Sequence, residues 1–243
     1  AWFEDGVVKI LDRRVYPREV RFEICKSYKD VVVAIQNLVT QSAGPYTAVG
    51  MGIALAAYES KDLNKKDRIQ FLEKAEYDLK NSRVTTASRY GKITQRALNK
   101  ATNAINNGDD PIPLIIEDTI KSLNRRYETM QKVGDNLLKV IPEGTTLLTQ
   151  CYGETIIGTL IRAAKRENKN FKVICAETRP FLQGARLTAS CFAEEGFDIT
   201  VITDNMVAEV MSKKKVDVFT SAADTITEDG WVVNKIGTYQ IAL

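Results

Sequence analysis

The segment TTLLTQCYGETIIGTLIRAAKRENKNFKVICAE, Thr145–Glu177, decides the fold. Its two ends, TTLLTQC and FKVICAE, are short apolar runs of the kind that form strands. Between them, ETIIGTLIRAAKRE places apolar residues at helical spacing. Strand, helix, strand is the unit of a parallel sheet, because parallel neighbours need a long crossover. The pattern continues downstream. GARLTASCFAEE and NMVAEVMSK read as helices, DITVITD and VDVFTSAAD as strands.

Upstream the period changes. GVVKIL and EVRFEIC read as a hairpin across the turn-rich DRRVYPR. YKDVVVAIQNLVTQ has helical spacing, SAGPYTAVG reads as a break, and MGIALAAYES as a short apolar helix. Helical patterns follow over 62–82, 87–106 and 112–138. The expected architecture is α/β. A small N-terminal hairpin plus helical domain occupies 1–140, and a Rossmann-like parallel α/β domain 141–243, divided at the punctuating IPEG.

The chain has 243 residues, 44% hydrophobic and 27% charged, with a net charge of +3. That is a globular composition with too little basic surplus for a nucleic-acid surface. Histidine is absent, and the four cysteines, Cys25, Cys151, Cys175 and Cys191, are widely spaced, so no zinc site is expected. The cysteine usage fits a reducing cytoplasm, and no run reaches membrane-spanning length. Without histidine, acid–base chemistry falls to Cys, Asp, Glu, Lys or Tyr.

Ligands of an open parallel sheet bind beyond the carboxyl ends of its strands. Cys151, Glu177, Asp204 and Asp224 stand there. Asp204 reads equally as a cap for the following helix. Cys151 precedes a helix start, where backbone amides favour a thiolate; the alternative is an inert structural thiol. Gln183, Gly184 and Ala185 open a helix between Arg179 and Arg186, a pattern suited to phosphate. Asn234 and Lys235 follow Asp224, and the three together suit one small ligand.

ETRPFLQGARLTA, VITDNM, SAADTITEDGWVVNKIGTYQIA and LLTQC closely resemble the methylthioribose-1-phosphate isomerases. That family shares its fold with ribose-1,5-bisphosphate isomerases and with regulatory subunits of a eukaryotic translation initiation factor's exchange complex. The resemblance implies a catalytic pair, Cys151 and Asp224. It implies substrate contacts from Gln183, Asn234 and Lys235, and a phosphate contact from Arg83 in SRVTTAS. Two stretches depart from the family pattern. Ser42–Gly50 replaces an arginine-bearing R-G-A-P-A-I-G loop, and the segment after Cys151 is shortened to YGETIIG.

The implied reaction is aldose-to-ketose isomerisation of a pentose 1-phosphate, such as 5-methylthioribose 1-phosphate or 5-deoxyribose 1-phosphate. No metal or nicotinamide is expected. Asp224, raised by apolar burial, would protonate the ring oxygen, and Cys151 thiolate would act at C2; a hydride shift is the other route. Lys235 and Asn234 would stabilise charge on oxygen, and Arg83 with the amides near Gly184 would hold the phosphate. The competing expectation is a non-catalytic sugar-phosphate or nucleotide sensor on the same fold. A homodimer and further strand–helix units after KIGTYQIAL complete what the resemblance implies.

Overall fold

The computed structural model describes residues 1–243, the side chains of Thr85 and Thr155 excepted. The chain forms two compact units, Ala1–Arg126 and Tyr127–Leu243.

The first unit opens with an antiparallel three-stranded sheet, β1 (Trp2–Glu4), β2 (Val7–Leu11) and β3 (Phe22–Cys25). Sequence patterning gave β2 and β3 and missed the three-residue β1. Five helices follow: α1 (Tyr28–Gln36), α2 (Gly44–Glu59), α3 (Lys65–Lys80), α4 (Ala87–Asn107) and α5 (Pro111–Val140). A capping box starts α1, with Ser27 Oγ accepting from the Asp30 amide and Asp30 accepting from the Ser27 amide. The chain does break between α1 and α2, at 37–43, but most of SAGPYTAVG lies inside the next helix. Its Gly44-Pro45 begins α2, because proline in the first turn forfeits no helical hydrogen bond. Helix α2 is buried on nearly every side and forms the axis of this unit's core.

The second unit holds a four-stranded parallel sheet: β4 (Thr146–Gln150), β5 (Lys172–Ala176), β6 (Ile199–Ile202) and β7 (Val218–Phe219), in the order β6-β5-β4-β7. Leu147, Val173, Ile199 and Val218 share one face, as two-residue alternation and the observed register require. That face packs on the end of α5, on α6 (Glu154–Arg166) and on α7 (Ala189–Glu194). Leu148, Ala176 and Ile202 line the other face, under α8 (Val207–Ser212) and α9 (Thr238–Ala242). A small hairpin, β8 (Thr225–Ile226) with β9 (Val232–Val233), lies between β7 and α9.

The division between units falls inside α5 rather than at IPEG. The reason is packing. Leu138 and Ile141 belong to the sheet's core, and a Cβ on Gly134 would lie 2.7 Å from the Thr159 backbone carbon, so α5 and α6 touch closely there. Loop punctuation marks the end of the helix, whereas the domain boundary is set by which core each helical turn serves.

Candidate active site

From β4 the chain moves outward through β5 to β6, then returns to place β7 on the opposite side of β4. The order therefore reverses between β4 and β7, which opens a crevice at their carboxyl ends. Cys151 follows β4, and Asp224 follows β7. The Asp224 amide donates to the Val233 carbonyl at 2.9 Å. Hairpin β8–β9 thus folds the intervening residues back on themselves and sets Asn234 and Lys235 beside Asp224.

Cys151 has a left-handed backbone, φ 57°, a conformation that is costly for a residue with a Cβ. Two threonines hold it there. Its amide donates to Thr178 Oγ1 at 2.8 Å, and its carbonyl accepts from Thr188 Oγ1. The sulfur is mostly buried, and burial pushes the thiol's pKa up. The Tyr152 amide and the Lys235 ammonium oppose that shift, and Asp224 adds to it. Both charged groups therefore act at the sulfur.

These observations correct two expectations. Helix α6 starts at Glu154 behind an N-cap at Gly153, so the amide at the sulfur is that of Tyr152 and not one of the helix's own. Desolvation outweighs it, and the side chain stays a thiol rather than an acidic thiolate. Asp224 is exposed, so the apolar burial expected of it is absent.

The anion site expected at Gly184 is also corrected. Gly184–Thr188 is a single π-helical turn, and its polar groups are spent within the chain. Ala185 N–H donates to the Glu177 carbonyl, and the Arg186 guanidinium to the Phe181 carbonyl. Gly184 is a packing residue, since a Cβ there would lie 1.9 Å from the Ala176 oxygen. Gln183 is 7% exposed and its Oε1 has no hydrogen-bond partner, an acceptor suited to a hydroxyl rather than a phosphate. Asp204 does not cap its helix. Its two oxygens accept from the amides of Thr178 and Arg179, each at 2.8 Å, and so tie β6 to the loop after β5.

Asn234 and Lys235 are half-buried. Gln150, the residue before Cys151, pins them, a role the sequence did not disclose. Its Nε2 donates to Thr238 Oγ1 and to the Lys235 carbonyl, and Asn234 Nδ2 donates to the same Thr238 oxygen at 3.3 Å. Gly237, at φ 100°, lets the chain pass; a Cβ there would sit 3.2 Å from Gln150 Oε1. A cavity of about 420 Å³ lies against this clasp, lined by Gln150, Gly237, Ile241, Arg179 and Asp204. That volume suits a phosphorylated pentose. Cys151 and Asp224 are not in its wall. Arg83 belongs to the first unit, exposed just ahead of α4.

The chain matches the initiation factor 2 subunit family over residues 44–243. It is 32% identical to methylthioribose-1-phosphate isomerase from Desulforamulus reducens, over 99% of this chain and 72% of that one. Among solved structures, the delta subunit of translation initiation factor 2B from A. fulgidus superposes with TM-score 0.83 at 31% identity, covering 99% of this chain and 72% of the other. The 5-methylthioribose 1-phosphate isomerase from Pyrococcus horikoshii superposes with TM-score 0.82 at 29% identity, covering 99% and 70%. With the switch-point geometry already in place, these likenesses settle the lineage: the chain belongs to the initiation factor 2 subunit family, which includes the methylthioribose-1-phosphate isomerases.

Proposed function

We propose that this aldose–ketose isomerase acts on a pentose 1-phosphate, 5-methylthioribose 1-phosphate or 5-deoxyribose 1-phosphate, with Cys151 and Asp224 as its proton carriers. One observation carries the reading. At the sheet's switch point, a carboxyl group after β7 and an ammonium after β9 both act on the thiol after β4.

The thiol's raised pKa assigns the roles. Cys151 gives its proton to the ring oxygen as the C1–O bond opens. Asp224 takes the proton from C2, and the electron pair forms a C1–C2 double bond. Asp224, exposed and exchanging its proton with solvent, then protonates C1, and the C2 hydroxyl surrenders its proton to the Cys151 thiolate. The product is the ketose 1-phosphate, and both groups end as they began. Lys235 and Asn234 stabilise charge on oxygen, and Gln183 Oε1 accepts from a sugar hydroxyl.

Turnover of pentose 1-phosphates in D2O, followed by NMR, tests this. Deuterium at C1 supports proton transfer; its absence indicates a hydride shift. Cys151→Ser and Asp224→Asn are each expected to lower kcat by about 10²–10⁴-fold in a folded protein. Near-normal turnover in either variant removes that residue from the mechanism. The likeness to a translation-factor subunit favours a second reading, a non-catalytic sensor. Phosphosugar binding without conversion would support it. A homodimer belongs to the same proposal, and sedimentation velocity tests it.

A further inference from the structure

Beyond its last ladder pairs, the carboxyl edge of the parallel sheet carries a lateral relay of hydrogen bonds. It runs from Asp204, after β6, to Thr178, after β5, to Cys151, after β4. The middle member is fully committed. Thr178 is 1% exposed. Its amide donates to Asp204 Oδ1 and its carbonyl accepts from the Leu182 amide, each at 2.8 Å. Its hydroxyl proton goes to the Ala176 carbonyl at 3.0 Å, so a lone pair is left to face the Cys151 amide at 2.8 Å. Asp204 Oδ2 accepts from the Arg179 amide at 2.8 Å. One carboxylate thus grips two consecutive amides and fixes the turn that carries Thr178.

Both bonded residues are left-handed, Cys151 at φ 57° and Thr178 at φ 65°. A residue with a Cβ, and a β-branched one above all, keeps that conformation only where its surroundings over-determine it. The conformation decides where the sulfur aims. Side chains alternate along a strand. Were β4 to run on, residue 151 would fall on the face of Leu147, the face packed under α6 and α7. The left-handed turn ends β4 at Gln150 and takes Cys151 out of that alternation. From the other side, Thr188 Oγ1 donates to the Cys151 carbonyl, and Thr188 is 0% exposed at the end of the π-helical turn. Buried hydroxyls therefore hold the peptide planes before and after Cys151.

We propose that Thr178, braced by Asp204, is a positioning residue for the isomerisation: it turns Cys151 out of β4 and holds its sulfur toward Asp224 and Lys235. What the aimed thiol does rests on the proposed isomerase reading; the aiming itself does not.

A double-substitution cycle on Cys151 alkylation, read by mass spectrometry of its peptide, tests the aiming. In the parent, Lys235→Met should raise the pH midpoint. In Thr178→Val, which keeps the shape and loses the hydroxyl, the same substitution should leave the midpoint where it was, because two changes that act through one contact do not add. Thr178→Val should also lower kcat by about 10–10²-fold with KM much less altered, since the reacting group is displaced rather than removed. Thr178→Ser, which restores the hydroxyl, should recover both readings. Asp204→Asn, which keeps one acceptor and loses the charge, should fall between parent and Thr178→Val. A folded Thr178→Val with parental kcat and an undiminished Lys235 effect overturns the proposal, even if its unfolding temperature drops, because the threonine then braces only the fold. A parent whose midpoint ignores Lys235→Met overturns it outright. If Thr178→Val does not fold, Asp204→Asn decides by the same two readings. A parent that converts no pentose 1-phosphate, but whose Lys235 effect depends on Thr178, overturns the isomerase reading and leaves the aiming standing. An active parent that is inert as Cys151→Ser, with a Lys235 effect independent of Thr178, does the reverse.

Discussion

At the scale of the residue, Cys151 shows how position and surroundings divide the work. Its place at the end of a strand is written in LLTQC. Its protonation is not, because that depends on how much water the fold removes. The thiolate is the nucleophile, so alkylation by iodoacetamide reports the balance. Half-maximal reactivity is expected above the ordinary cysteine value of roughly 8.5. Lys235→Met removes a charge that favours the thiolate and should move the midpoint up. Asp224→Asn removes one that opposes it and should move the midpoint down. A midpoint unmoved in both variants would place neither group at the sulfur.

At the scale of the element, hairpin β8–β9 and the turn into α9 do the positioning. Gly237 is the vulnerable point, because its φ of 100° disfavours any side chain and Gln150 lies against it. Gly237→Ala is expected to cost about 1–2 kcal/mol in chemical unfolding. It should also slide Lys235 away from the sulfur, so the Cys151 alkylation midpoint rises with it. Lost stability with an unchanged midpoint would mean that the turn supports the fold and not the site. Within the first unit, Asp12 ties the β2–β3 connection. It is fully buried and accepts from Arg14 Nε at 2.8 Å, Arg14 Nη2 at 2.9 Å and Arg21 Nη2 at 2.8 Å. The Arg14 hydrogen bond above all holds its carboxyl well below the ordinary value of 3.8. A depressed carboxylate contributes stability above the unfolded value and loses it as pH falls through the folded one. Asp12→Asn should therefore cost about 2 kcal/mol near neutrality, a figure kept modest by the half-exposed arginines. The gap to the parent should close below pH 3.8. A gap independent of pH would show that shape rather than charge is what Asp12 supplies.

At the scale of the whole molecule, the sequence determined the order of elements and the change from helices to a parallel sheet. Burial repeats with the period of each element, so TTLLTQC and ETIIGTLIRAAKRE declare themselves locally. It also placed Cys151 at a strand end, because strand ends are local too; the strand expected to run to Asp224 stops at Phe219, and Asp224 instead stands just before β8. Tertiary structure alone decided the rest. The strand order that puts β4 beside β7, the hairpin that returns Lys235 to Asp224, and the bond from Cys151 to Thr178 all join residues far apart in the chain. Gly184 looked like an anion cradle and proved to be a packing contact, since close approach depends on a partner strand that no local pattern names. The unit boundary within α5 has the same origin: a helix announces its own length, but the cores it serves are built by other segments.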